Sequence, residues 1–191
     1  MNLKNLKVTV RLDRIDKDGR VHVGEEQETH SWTAQIFKQF FCYITFQSIN
    51  TVKDTGGVNR TLNYSTYSNC TATAGQVTRG IIVGIGNTPT TIDDYKLETV
   101  ITDGSGAGQL EYEATVSATV CTNSPAGTWY FDHKRTFTNG SGDTITINEV
   151  GLYGYWSTIY YHMLERTVLG VPYSVLNGEG CIVTYRISLT V

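Results

Sequence analysis

The C-terminal segment alternates between apolar and mostly polar side chains, and this rhythm constrains the fold more strongly than any other feature of the chain. One set of alternate positions holds Cys181, Val183, Tyr185, Ile187, Leu189 and Val191. A period of two is the repeat of a β-strand that turns one face to a core and the other to solvent. The sequence therefore predicts that this segment is a strand held in a sheet.

A second alternating segment lies near the N-terminus. Its apolar positions are Leu6, Val8, Val10 and Leu12. Asp18 and Gly19 follow as turn residues, and Val21 and Val23 are predicted to lie in the return strand. Strands at both ends, with recurrent turn signals between them, predict a mainly β protein. We expect one antiparallel β-sandwich domain over residues 1–191, of the jelly-roll or immunoglobulin-like type.

One segment follows a helical period instead. Its apolar residues recur at spacings of three and four and are Trp32, Ile36, Phe37, Phe40, Phe41 and Ile44. They predict a single N-terminal aromatic helix at about 32–47, capped by Ser31. The many aromatic and β-branched residues make this a weak helix by propensity, so packing must hold it. Either the stripe is core, or Trp32, Phe37, Phe40 and Phe41 belong to a subunit interface or to a surface that docks on a neighbouring protein.

Glu149 breaks the rhythm of another predicted strand. Ile145 and Ile147 point inward, and the same phase would bury Glu149, whereas Val150 and Leu152 share the opposite phase. A β-bulge at Asn148–Glu149 would restore an apolar inner face, while burial of an unpaired carboxylate costs several kcal/mol. A bulge is therefore expected, and a functional carboxylate is the alternative interpretation.

The charge content excludes some classes of function and favours others. Charged residues make up 17% of the chain and the net charge is -3. Tight nucleic-acid binding needs a concentrated basic surface, so no nucleic-acid partner is expected. No apolar stretch approaches the ~20 residues of a membrane helix, so no membrane partner is expected either. A polar but weakly charged surface favours contacts between proteins.

Motifs for chemistry are weak. The four cysteines are too few and too widely spaced for a disulfide scaffold, and the four histidines have no metal-ligand spacing. We expect no enzyme activity, no catalytic residue, no cofactor and no metal. Asp93, Asp94 and Glu98 are surface carboxylates, with ion binding or a glycosidase pair as the alternatives. Gly84-x-Gly86 resembles a phosphate-binding turn, but it lacks the helix that would follow.

A dense aromatic cluster occupies the segment "LYGYWSTIYY". Its members are Tyr153, Tyr155, Trp156, Tyr160 and Tyr161. Such residues pack in cores, anchor protein interfaces or stack on sugar rings, and all three interpretations stay open. Tyr153, Tyr155 and Trp156 are the interface candidates here.

Several segments together resemble the small virion structural proteins of tailed bacteriophages. They are "SWTAQIFKQFF", "DTGG", "GIIVGIGNTPTTIDDYKLETVI", "GAGQLEY", "RTFTNGSGDTITINEVGLYG" and "LERTVL", followed by the C-terminal segment. The resemblance covers almost the whole chain and is most specific at residues 80–101 and 137–153. It implies a particle component and brings no catalytic residues with it.

The resemblance and the composition lead to one functional expectation. The chain is expected to be a capsid auxiliary or decoration protein, or a tail or fibre component, located in the virion and assembled in the host cytoplasm. Its expected partners are copies of itself, with a trimer as the first expectation, and other virion proteins such as the major capsid or tail proteins. The alternative is a carbohydrate-binding adhesion module that binds host glycans through the aromatic cluster.

Overall fold

The structure is a computed structural model, and it describes residues 6–29, 31–63, 69–123, 127–157 and 160–190. The elements in chain order are β1 (Leu6–Ile15), β2 (Val21–His22), β3 (Glu26–Thr29), α1 (Ala34–Thr45), β4 (Ile49–Lys53), β5 (Asn59–Leu62), β6 (Gly80–Gly84), β7 (Glu111–Tyr112), β8 (Val116–Ser117), β9 (Thr122–Asn123), β10 (Thr128–Thr138), β11 (Ile145–Ser157), β12 (Tyr160–Val175) and β13 (Gly180–Thr190). The ladders among these strands are antiparallel. The predicted mainly β, antiparallel class with one helix is confirmed for the described residues.

The main sheet is built around the two segments whose alternation is clearest in the sequence. β13 lies between β1 and β10, and the order across the sheet is β2-β1-β13-β10-β7. β3 also pairs with β1, and β8 and β9 pair with β10. In β13, Cys181, Val183 and Tyr185 are fully buried, as their phase predicts. Val191, the last apolar position of that pattern, lies outside the described residues.

The second sheet covers the inner face of the main sheet. It has the order β12-β11-β6. One hydrophobic core contains residues of both sheets, among them Val10, Phe137 and Tyr185 from the main sheet and Ile82, Val150 and Met163 from the second. Apolar burial between the two sheets is therefore the main source of stability, at roughly 25 cal/mol per Å² of apolar surface removed from water.

A smaller unit sits beside the distal part of β11 and β12. It consists of α1 and the β4–β5 hairpin, and its own small core holds Cys42, Val52, Leu62 and Trp156. The Thr55 N–H donates to the carbonyl of Tyr161 at 2.9 Å and ties this unit to β12. α1 is shorter than the predicted 32–47, and no helix in the described part of the chain is long and apolar enough to span a membrane.

The N-terminal turn forms as predicted, but its return strand is short. Gly19 adopts a φ of 79°, which the absence of a side chain permits, and its N–H donates to the Asp16 carbonyl at 2.9 Å. Val21 lies in β2, whereas Val23 lies beyond the strand and is exposed. The chain turns away there because β3, not a longer β2, takes the remaining edge of β1.

Candidate functional site

The helix is attached to the second sheet at its N-terminus. Thr33 is the N-cap, and its hydroxyl accepts from the Gln35 N–H at 3.3 Å and donates to the Met163 carbonyl at 2.6 Å. The Thr33 N–H donates to the Leu164 carbonyl at 2.9 Å. Ser31, the predicted cap, instead bonds the Thr90 hydroxyl, so that prediction is wrong. These bonds to β12 hold the first turn of α1 and set which side of it faces inward.

The inward side of α1 is polar. Gln35, Gln39 and Cys42 are its buried residues, at a spacing of four and three. The Lys53 N–H donates to Oε1 of Gln35 at 2.9 Å, and Gln39 Nε2 bonds Nε2 of the buried His162. Burial lowers the pKa of His162 to about 3, so its neutral ring can accept this bond. Polar side chains are buried here because the neighbouring strands supply their partners.

The outward side of α1 is apolar. The outward stripe, defined as Phe37, Phe40, Phe41 and Ile44, has exposed fractions of 65%, 50%, 44% and 79%. Because a fully exposed side chain of this size presents about 200 Å², the stripe presents roughly 500 Å² of apolar surface. For these four residues the interpretation as core is therefore wrong, because the opposite side of the helix faces the protein. Ile36, another residue of the predicted stripe, is partly buried against the main core. The alternative, an interface, is the one that exposure favours.

The end of the helix stores backbone strain. Phe46 is the C-cap in the left-handed conformation, with φ 55°, and its N–H donates to the Cys42 carbonyl at 3.1 Å. Among the described residues it is the one non-glycine residue with a positive φ, which costs about 1–2 kcal/mol for an L-amino acid. Its side chain is 70% exposed. Strain of this kind often marks a functional surface.

Trp32 does not belong to the outward stripe. It lies before the helix, forms an isolated bridge with Glu165 of β12, and is partly buried against the main core. Its predicted place beside Phe37 and Phe40 followed from helical spacing, which does not apply because α1 begins only at Ala34.

The aromatic cluster of β11 is largely internal. Tyr153 is 3% exposed and its hydroxyl accepts from the Leu97 N–H at 2.6 Å, while burial raises the pKa of that hydroxyl. Trp156 is 4% exposed, and its ring centroid lies 4.4 Å from that of His162. The assignment of Tyr153 and Trp156 to an interface is corrected accordingly, because neither side chain is available to a partner.

Tyr155 is the accessible member of the three predicted in this segment. It is half-buried, its backbone pairs with Asn69, and the Arg79 guanidinium lies 4.4 Å from its ring centroid. The pairing with β12 is regular from Tyr153 to Tyr155, so the two residues share one face of β11, as strand periodicity predicts. That face is not an open platform, because Tyr153 is buried and Tyr155 is half-buried.

Glu149 is buried, and it is paired. Its side chain is 0% exposed, and Oε2 accepts from Nε of Arg166 at 2.8 Å. Three backbone N–H groups, from Gly86, Glu98 and Thr99, also donate to its carboxylate at 3.0–3.2 Å.

The predicted bulge is confirmed, because the register shifts between Ile147 and Glu149. The carboxylate lies on the face of β11 that Tyr153 shares, and the loop at Leu97–Thr99 covers it there. The opposite face, with Leu152 and its partner Glu165, is turned to Tyr185 of the main sheet. The bulge thus keeps Glu149 out of the main core as predicted, but the carboxylate is buried all the same, in a paired state.

Arg166 is the centre of this buried charge network. Its Nη1 lies 2.9 Å from Asp94 Oδ2, and its Nη2 donates to the Thr88 carbonyl at 3.2 Å. Burial alone would lower the pKa of Arg166, but the hydrogen bonds to Asp94 and Glu149 outweigh burial and raise it. The network therefore stabilises the loop that follows β6, at residues 85–99. The charged groups of Arg166, Asp94 and Glu149 all find their partners within this chain.

The two glycines that resemble a phosphate-binding turn have a different explanation. A Cβ on Gly84 or on Gly86 would lie 2.6 Å from Oε1 of Glu149. Both positions thus need glycine so that the backbone can approach the carboxylate closely. The turn binds an anion, but the anion is a side chain of the same chain.

The three candidate ion ligands are not assembled into a site. Asp94 is held by Arg166, and Oε2 of Glu98 accepts from the N–H and the hydroxyl of Thr88 at 3.0 and 2.9 Å. Asp93 is exposed. Across the part of the chain that the structure describes, no group of three or more histidine, cysteine, aspartate or glutamate side chains is placed to hold a metal ion.

No known protein family, curated protein sequence or solved structure matches this chain. The candidate site therefore rests on its own geometry, and the outward stripe is its most unusual feature. The helical period is visible in the sequence, and Ile44 belongs to the exposed side, since it follows Phe40 by one turn, although it was not among the predicted interface residues. Arg166 was not predicted, because no local pattern connects that residue to Glu149.

Proposed function

We propose that this protein is a structural subunit of a bacteriophage virion. In this role it is a capsid auxiliary or decoration protein, or a tail or fibre component, and it works through protein contacts in a symmetric homo-oligomer, with a trimer as the expected state. The observation that carries the proposal is the outward stripe of α1. The assignment to a phage virion rests on the resemblance to virion structural proteins of tailed bacteriophages.

The outward stripe supports assembly because no described residue of the chain covers it. The largest contiguous apolar patch of a typical monomer is about 300–600 Å² and is often a functional surface, so the roughly 500 Å² of the stripe is a reasonable interaction site. Lys38 is the one charged residue of α1, and its Nζ donates to the Thr51 carbonyl at 2.5 Å, away from the stripe. An uncharged surface of this kind gains stability only when another apolar surface covers it.

The same proposal includes a β-sandwich of jelly-roll or immunoglobulin-like type that forms one domain. Its support is the core shared by the main and second sheets and the antiparallel pairing of both. A layered β body presents its loops and appended elements in a constant geometry. Such a body suits a subunit that is repeated many times in a particle.

The aromatic cluster gives the carbohydrate-binding alternative little support. That alternative needs a platform of accessible rings, but Tyr153 and Trp156 are buried, and Tyr155, Tyr160 and Tyr161 are half-buried. A sugar-stacking surface needs exposed ring faces. We therefore make no glycan proposal.

The proposal is tested first by the mass of the purified protein in solution, measured by sedimentation at several concentrations. We expect an oligomer, and we expect Phe40→Asp to raise its dissociation constant by about 100-fold, as loss of a central apolar anchor does. The matched control is Val171→Asp, which changes an equally apolar and 81% exposed residue of β12. It should leave the oligomer intact.

A wild-type chain that stays monomeric at every concentration would contradict the assembly proposal. So would equal effects of the two substitutions. The virion assignment is tested separately by mass spectrometry of purified phage particles, in which the chain should be present at many copies per particle. Its absence from particles made in an expressing host would remove that assignment.

A further inference from the structure

One end of the inner face of the main sheet is not covered by any of the described residues. We define the ledge as Leu6, Trp129, Phe131 and Leu189, all of them apolar. Leu6 pairs with Leu189, which pairs with Trp129, so three of them form one row across β1, β13 and β10. Leu6, Trp129 and Phe131 are 42%, 46% and 42% exposed, and Leu189 is half-buried.

The ledge differs sharply from the rest of the same face. Farther along β10 and β13, the inward residues Arg135, Phe137 and Tyr185 are at most 1% exposed. They are covered by the second sheet, whose residues share their core. At the ledge none of the described residues provides this cover, so the described part of the main sheet ends in an exposed apolar surface. A sheet face normally requires a second layer.

The ledge and the outward stripe are both exposed apolar surfaces, and each could cover the other. The ledge is a sheet face without a covering layer, and the stripe is the apolar side of a helix whose other side already packs on its own chain. Both lie toward the end of the molecule where β1 begins. Thr29 at the end of β3 pairs with Val8, and the cap of α1 at Thr33 follows shortly after. Neither surface carries a charged side chain, so each suits an apolar partner.

We propose that the stripe of α1 packs on the ledge of a second copy of this chain. This inference rests on the proposed function and specifies its interface. The contact is heterologous, because two different surfaces meet, and each copy offers its stripe to one neighbour and its ledge to the other. Heterologous contacts close into rings when the rotation between copies allows it. A ring also agrees with the expected trimer.

The areas are sufficient for a stable contact. With about 200 Å² per fully exposed side chain, the ledge presents roughly 300 Å² of apolar surface, in addition to the roughly 500 Å² of the stripe. Because apolar atoms make up about 60% of an interface, the complete contact would bury about 1,300 Å². This value lies within the range of roughly 1,200 to 2,000 Å² for specific protein interfaces. A contact between two stripes would leave both ledges exposed.

Cross-linking distinguishes this arrangement from a symmetric one. Ile44→Cys places a thiol on the stripe and Leu6→Cys places one on the ledge, both in a Cys121→Ser background, because Cys121 is the exposed native cysteine of the described residues. The two variants carry tags of different mass and are mixed with a short bismaleimide. We expect a cross-linked pair that contains one chain of each kind. The double variant should give a ladder that stops at the size of the ring.

A pair of two Ile44→Cys chains, formed from that variant alone, would overturn the inference in favour of contact between stripes. An oligomer of normal mass that gives no mixed pair would overturn it as well. Both outcomes leave the proposed function standing, whereas a monomeric wild type removes both. As a second readout, Trp129→Asp should raise the dissociation constant about as much as Phe40→Asp does. The melting temperature of the dissociated chain measures separately how much intramolecular packing is lost at this 46% exposed residue.

Discussion

Replacement of Arg166 by Met should be among the most destabilising single changes on this chain. The substitution keeps the length of the aliphatic stem but removes the partner of Glu149, which is 0% exposed. Loss of one member of a buried ion pair costs about 3–5 kcal/mol, because the other charge stays buried without compensation. Three backbone N–H groups still reach Glu149, so we expect about 3–4 kcal/mol.

The measurement is urea denaturation, with the free energy of unfolding extrapolated to water. A change of this size is a large part of the roughly 5–15 kcal/mol that stabilises a typical domain. For a chain of this length it should lower the melting temperature by about 6–16 °C. Glu149→Gln should cost less than Arg166→Met, because Arg166 keeps Asp94. The double variant should then cost less than the sum of the two single effects.

The matched control is Arg186→Met. Arg186 pairs with Asp132 at 2.8 Å, the same distance as the pair of Arg166 and Glu149, but its side chain is 33% exposed. Pairs that reach solvent contribute about 0–1 kcal/mol. Equal losses of stability for the two methionine variants would refute the reasoning, because burial would then not determine the strength of these pairs. A loss below about 1 kcal/mol for Arg166→Met would refute it too.

Two further predictions concern a buried carboxyl group and a glycine. Burial raises the pKa of Glu165 to about 7, so the folded chain keeps a proton that the unfolded chain releases near 4.5. The stability from that proton is complete below pH 4.5 and is lost as the pH rises to about 7. The free energy of unfolding should therefore fall by about 3 kcal/mol across this pH range, and Glu165→Gln should remove this decline. An unchanged decline in the variant would contradict the assignment to Glu165. Gly86→Ala should lower the melting temperature by several degrees, because its Cβ would lie 2.6 Å from Oε1 of Glu149, whereas Gly170→Ala, with nothing within 4 Å, is the control and should change little. Equal melting temperatures for the two alanine variants would contradict the close approach.

The strands were predictable because the alternation of apolar and polar residues along one strand depends only on which of its faces is buried. The alternation of β1 and β13 reflects one buried face, and each strand needs only that a core exist on one side. The break at Glu149 also showed in the sequence, because a bulge shifts the phase of every residue after it. The hydrogen-bond partners of the Glu149 carboxylate could not be predicted from the sequence. Arg166 lies on another strand, and the three donating N–H groups come from a distant loop.

The sequence by itself determined that α1 has two unlike sides, because residues at spacings of three and four share one side of any helix. Only the tertiary structure decided which side faces inward. The usual rule turns the apolar side to the core, but here the bonds of Thr33 to β12 fix the rotation of the helix, and Lys53 and His162 satisfy the buried glutamines. A periodic pattern records that two surfaces differ, and it contains no information about what lies opposite each of them.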